Sequence, residues 1–268
     1  MGWIDAGLKS YSRLFTFDRT KICAIDLTLL LRPNIDSKMT CPIPDGFLVA
    51  IEGIDGSGKT TQAELLARFC EENRLSNVVS KEPTKGKYGE MIRDSARKGR
   101  MSVEEEIDIL DRDRREHVET VIKPALDKEK IVILDRYYFS TAAYQGAHGA
   151  DADRILEINE GFAPVPDLLI VLDVAPEIGL QRIRDRGDEP NQFENVESLT
   201  RAREIFKHIE RPYKVTIDAR SEIQLVSVWV SKYFQARAMN KISRLDFSVN
   251  GLNRTREFFG EERITATA

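Results

Sequence analysis

The chain has 268 residues, 41% of them hydrophobic and 31% charged, enough to bury one substantial core in a soluble, globular protein of one or two domains. A net charge of −4 supplies no general basic field, so nucleic acid is not expected as a partner and any anion site must be local. Three widely spaced cysteines, Cys23, Cys41 and Cys70, form no metal-ligand pattern and suit a reducing cytoplasm better than a disulfide framework.

The longest N-terminal apolar run, Ile22 to Leu31, is interrupted by Asp26 and is far shorter than the roughly 20 residues that cross a bilayer. The start, Met1-Gly-Trp-Ile-Asp, lacks the basic opening and apolar centre of a signal peptide. No membrane partner is expected. Residues 1–45 read as an extension, either loosely docked or serving a partner or self-association.

The chain is organised around the stretch that follows. Leu48 to Ile51 form a buried strand, Gly53 to Thr60 fit Gly-x-x-x-x-Gly-Lys-[Ser/Thr], and Ala63, Leu66, Phe69 and Cys70 recur at helical spacing. Strand, loop and helix therefore stand in the order of a phosphate-binding P-loop. Its glycines, Gly53, Gly56 and Gly58, let backbone N–H groups from Asp55 through Ser57 to Thr61 curl around an anion. Lys59 reaches the β- and γ-phosphates, and Thr60 offers its hydroxyl to Mg²⁺.

Beyond this helix, Asn77 to Lys81 read as a second strand and Glu82 to Gly89 as a loop punctuated by Pro83 and glycine. Ser102-Val-Glu-Glu105 is a capping box that starts a helix. Ile107, Leu110, Arg114, Val118, Val121 and Ala125 then advance in steps of three and four. Arg114 lies inside that apolar stripe, so it either closes a buried ion pair or faces an anionic or polar ligand; the ligand is the favoured reading.

Glu129 to Asp135 and Pro166 to Asp173 are strands that each end in a carboxylate, and both aspartates are candidates for the acid beside Mg²⁺. Asp135 is preferred, because Arg136 adjoins it and guanidinium matches phosphate geometry. Tyr137 to Gly146 is rich in aromatics and hydroxyls, a composition suited to a flat base and a sugar, with Phe139 equally readable as core. Arg182, Arg184 and Arg186 precede a Gly/Asp/Pro/Asn-rich segment, as expected of a lid that closes cations over donor phosphates. Lys214 to Ile217 make a fifth strand, Ile223 to Phe234 a closing helix, and residues 237–268 a polar tail. Alternating strands and helices predict an α/β fold, a five-stranded parallel sheet with helices on both faces and its ligand at the strand carboxyl ends.

From Phe47 to Val230 these motifs resemble, in order, the thymidylate kinase family. They comprise the P-loop, Glu82-Pro83-Thr84, Asp113-Arg114 with His117, Asp135-Arg136-Tyr137 with Ser140, Tyr144-Gln145-Gly146, Pro166-Asp167 and the arginine lid. The resemblance implies a P-loop nucleoside monophosphate kinase domain over residues 46–236, with the short arginine-rich lid. It implies that Mg-ATP phosphorylates dTMP to dTDP, usually in a homodimer. By position, Lys59 and Thr60 hold donor phosphates and Mg²⁺, Asp55 meets the acceptor 3′-hydroxyl, and Arg136 grips the acceptor phosphate. Arg114 and Thr141 touch the base and Tyr144 lies beneath the sugar; Glu82, Pro83 and Gln145 belong to the same acceptor site. Gly56 is where some members carry an arginine; this chain resembles those that place it in the lid. Leu110 replaces the usual phenylalanine stacked on thymine, and Lys81 replaces an arginine before Glu82. Two alternatives stay open: a kinase for another acceptor, and a nucleotide-binding regulator that has lost efficient transfer.

Overall fold

Five strands form one parallel sheet in the order β2-β3-β1-β4-β5. The structure is a computed structural model, and it describes residues 42–99, 101–187 and 195–246. The central strand, β1 (Phe47–Glu52), is buried at every position, which is why its first five residues read as an unbroken apolar run rather than an alternation. It is flanked by β3 (Ile131–Asp135) and β4 (Leu168–Asp173); β2 (Asn77–Lys81) and β5 (Lys214–Asp218) are the more exposed edges. Ile51 pairs with Asp135 and Glu52 with Val171, so the carboxyl ends of the three inner strands finish at one level. In an open parallel sheet that edge is where ligands bind.

Helix α1 (Lys59–Glu72) leaves the loop after β1 directly, and α2 (Lys87–Lys98) starts at Lys87, so Gly89 is helical and the predicted loop ends at Gly86. Helix α3 (Val103–His117) opens with the predicted capping box: Ser102 Oγ accepts from the Glu105 amide, and the Glu105 carboxylate accepts from the Ser102 amide. Its buried face differs from the apolar stripe. Glu106, Ile109, Asp113, Arg114 and His117 are buried, while Ile107 and Leu110 are only half-buried. The face is largely polar because it is hydrogen-bonded to its neighbours, and apolar periodicity does not report such a face. A π-helical turn over Val118–Ile122 then shifts the register before α4 (Lys123–Leu126).

The remaining helices are α5 (Tyr138–Ala147), α6 (Ala152–Glu160), α7 (Pro176–Asp185), α8 (Val196–His208) and α9 (Ile223–Asp246). α9 corrects the expected start of the tail at 237, since it runs on to Asp246. Buried Ala238 and an ion pair from Lys241 to Asp167 at 2.9 Å hold that extra length against the sheet, despite its polar composition. Residues 1–41 and 247–268, with Cys23 and Cys41, lie outside the described residues. Cys70 is buried and unpaired, and burial pushes its thiol up to about 12. No helix among the described residues is long and apolar enough to cross a membrane.

Candidate active site

Backbone proximity shapes the P-loop. Gly56 has φ +76°, and a Cβ there would sit 2.1 Å from the carbonyl oxygen of Gly179 in α7. No side chain fits at position 56, so any arginine serving this loop must come from elsewhere. Arg182 of α7 reaches it: its guanidinium donates to the Gly56 carbonyl at 3.4 Å and to the Ala219 carbonyl at 2.9 Å, tying α7 to the P-loop and to the end of β5. Arg184 and Arg186 are exposed, and Arg184 bonds Gln181 on its own helix. The expected lid segment continues into residues 188–194, which lie outside the described residues.

Lys59 curls over the loop, donating to the carbonyls of Gly53 at 3.0 Å and Ile54 at 2.9 Å, with Asp55 Oδ1 3.9 Å away. Burial, then the nearby Arg136, push the Lys59 ammonium down to about 8. Thr60 Oγ donates to Asp135 Oδ2 at 2.5 Å, and Lys81 Nζ lies 3.0 Å from the same oxygen. Burial works to raise the Asp135 carboxyl, but Lys59 and Lys81 outweigh it and hold it below the usual range. Asp173, the other strand-end acid, instead takes a forked pair from Arg203 at 2.6 and 2.9 Å.

Arg136 stands at φ +74°, the turn between β3 and α5. Its guanidinium meets Asp55 Oδ1, reaches Ser140 Oγ at 3.2 Å, and lies 5.1 Å from the Tyr144 ring centre. Tyr144 donates to Asp55 Oδ2 at 2.8 Å. Burial alone would raise the Asp55 carboxyl; Arg136 and Lys59 bring it down to about 2. Asp55 therefore joins the P-loop lysine to the arginine and tyrosine of the next site.

That next site is a cavity of about 340 Å³. Asp55, Glu82, Pro83, Leu110, Arg114, Arg136, Thr141, Tyr144 and Gln145 line it, which brings the whole predicted acceptor set to one place; Lys81, Ile92, Arg93, Glu106, Tyr137 and Ser140 complete the wall. Tyr138 and Phe139 are fully buried, and their rings lie 4.1 Å apart as core. Arg114 lines the cavity but is 1% exposed and makes the ion pair that the sequence reading ranked second. It donates through Nε to Glu82 Oε2 at 2.8 Å, through Nη1 to Asn159 Oδ1 at 2.6 Å and through Nη2 to Thr141 Oγ at 3.0 Å. Glu82 also bonds His117, which reaches Ser80. A wider cleft of about 1030 Å³ opens on the far side of Lys81, bordered by Thr60, Lys85 and Asp135.

Two buried groups that shape the site were not singled out from the sequence. Asn159 of α6 is fully buried against Arg114, 45 residues away. Glu52, at the end of β1, is fully buried beneath the Arg136 turn. A carboxylate closing an otherwise apolar strand was the one available cue.

A thymidylate kinase family model matches residues 51–228. The thymidylate kinase of Xylella fastidiosa strain M12 is 55% identical over 184 residues, 69% of this chain and 84% of that protein. The thymidylate kinase of Xanthomonas campestris pv. campestris strain B100 is 53% identical over 183 residues, 68% of this chain and 80% of that protein. Among solved structures, a thymidylate kinase from Ehrlichia chaffeensis superposes with a TM-score of 0.58 at 32% identity, covering 71% of this chain and 99% of its own.

Proposed function

The chain belongs to the thymidylate kinase family and is a dTMP kinase, a phosphotransferase of an ATP-dependent family, and we propose that its two nucleotides meet across Asp55 and Arg136. The donor lies along the P-loop. The acceptor lies in the 340 Å³ cavity, its phosphate on the Arg136 guanidinium and its sugar between Asp55 and Tyr144. Leu110, Thr141, Gln145 and the Arg114 edge surround its base, and Glu82-Pro83 forms the wall behind. The observation that carries this reading is the Lys59–Asp55–Arg136–Tyr144 array, which links the phosphate loop to a nucleotide-sized cavity.

Phosphoryl transfer needs positioning and positive charge more than covalent help from the protein. An acceptor phosphate oxygen is already the nucleophile, so no general base is required. Amides of Ser57, Gly58, Thr60 and Thr61 and the Lys59 ammonium hold the donor phosphates, with Gly53 and Gly56 letting the loop close on them. Arg182 adds charge from α7, with Arg184 and Arg186 following it, and Arg136 aligns the incoming oxygen. Mg²⁺ fits where Thr60 meets Asp135, because Asp135 Oδ1 is buried with no hydrogen-bond partner. Such an ion is commonly held by one or two protein oxygens together with substrate phosphates and water. When bound, it neutralises charge on the phosphates.

We also read the enzyme as a cytoplasmic homodimer, a reading supported by the family resemblance. Coupled ADP release tests the assignment: turnover should require ATP, dTMP and Mg²⁺ together and stop on chelation. Undiminished transfer in excess EDTA would remove the metal from the reading.

A further inference from the structure

Glu52 is a fully buried carboxylate that the transfer reaction leaves without a task. Its Oε1 accepts from the amides of Tyr137 at 2.7 Å and Ser140 at 3.1 Å, and its Oε2 accepts from Ser140 Oγ at 2.6 Å. Those donors are the N-cap residue of α5, Tyr137, which makes no side-chain cap of its own, and Ser140 in its first turn. Glu52 thus caps that helix from 85 residues away, and a carboxylate there also complements the helix dipole. Ser140 Oγ, while donating to Glu52, accepts from Arg136 Nη1 at 3.2 Å. A directional chain therefore runs from the Arg136 guanidinium through Ser140 to Glu52.

The chain bears on Arg136 because its backbone is held at φ +74°, a region that non-glycine residues leave unless their surroundings hold them. The turn is fixed on one side by the Arg136 amide donating to the Ile51 carbonyl and on the other by Glu52, the next residue along β1. Burial pushes the Glu52 carboxyl up to about 7; Arg136 and Lys59 are the cations facing it and offset only part of the cost of burying its charge.

We propose that Glu52 is a positioning residue for the acceptor phosphate: through Ser140 and the capped start of α5, it holds the Arg136 guanidinium toward the acceptor cavity. This rests on the assignment of Arg136 to that phosphate. Glu52→Gln, which keeps the shape but removes the charge and one acceptor oxygen, should raise the KM for dTMP at least tenfold and leave the KM for ATP within twofold. In an Arg136→Ala background it should add less than twofold, because the group it acts through is gone. Ser140→Ala should move the same parameter by about threefold, and it carries the comparison if Glu52→Gln does not fold. An unchanged dTMP KM, or an equal loss in the Arg136→Ala background, overturns the proposal. Wild-type enzyme that ignores dTMP would instead fail the substrate assignment. Amide exchange at Tyr137 and Ser140 then decides: faster exchange in Glu52→Gln sustains the positioning role, and unchanged protection ends it.

Discussion

Arg114→Met separates a framework role for this arginine from a ligand role. The substitution keeps an unbranched side chain but removes the guanidinium that bonds Glu82, Asn159 and Thr141. Glu82 is 2% exposed and would keep only His117, leaving a buried carboxylate without its counter-charge. Breaking a buried pair from one side costs about 3–5 kcal/mol. For a domain of this size each kcal/mol is worth roughly 2–4 °C, so the melting temperature should fall by roughly 10 °C at fixed protein concentration. Glu82→Gln/Arg114→Met should recover more than half of that loss, since no orphaned charge remains. Urea denaturation of the two single variants and the double variant gives the coupling directly. A stability within about 1 kcal/mol of wild type, accompanied by a raised KM for dTMP, would refute the framework account and return Arg114 to the ligand.

Arg136→Ala should lower kcat/KM for dTMP by at least a hundredfold while ATP affinity, read by calorimetry, stays within threefold; equal losses would place Arg136 on the donor side. Asp55 has a folded pKa below its unfolded value, so its stabilisation is present above about pH 4 and is lost as pH falls toward 2. A shift of roughly 2 units is about 2 kcal/mol, of which about 1 kcal/mol disappears between pH 5 and 3. Asp55→Asn should therefore lose about 1 kcal/mol less than wild type over that interval in urea titrations, and equal losses would assign the effect elsewhere. Gly56→Ala should destabilise far more than Gly58→Ala. Both glycines have positive φ, costing ~1–3 kcal/mol each, but only at Gly56 does the new Cβ meet backbone, whereas around Gly58 nothing lies within 4 Å. Indistinguishable melting temperatures would contradict the close docking of α7 on the loop.

What the sequence could reveal was local. The P-loop, the capping box and the strand-ending aspartates are each written in a few consecutive residues, and their spacing alone carries the chemistry. The order of the strands is not written that way, because it depends on which apolar runs pair across the sheet. The Arg114 network was half legible: a charge in an apolar stripe demands a partner, but Glu82, Asn159 and Thr141 come from three separate elements. The polar inner face of α3 hid its own burial, since Glu106, Asp113 and His117 look solvated in sequence. α9 outran its predicted end for a related reason, with Lys241 neutralised by Asp167 rather than exposed to water. Gly56 shows the opposite situation: its glycine was legible as loop chemistry, while the second reason for it, the approach of Gly179, needed the folded backbone.

The most direct test of the account is coupled ADP release with Mg-ATP across dTMP, dUMP, UMP, CMP, dGMP and AMP, with Arg136→Ala as the control. The account predicts strong preference for dTMP, with half-buried Leu110 supplying contact area in the acceptor cavity. It also predicts near-silence from the control. Robust turnover of another monophosphate with none of dTMP would contradict it.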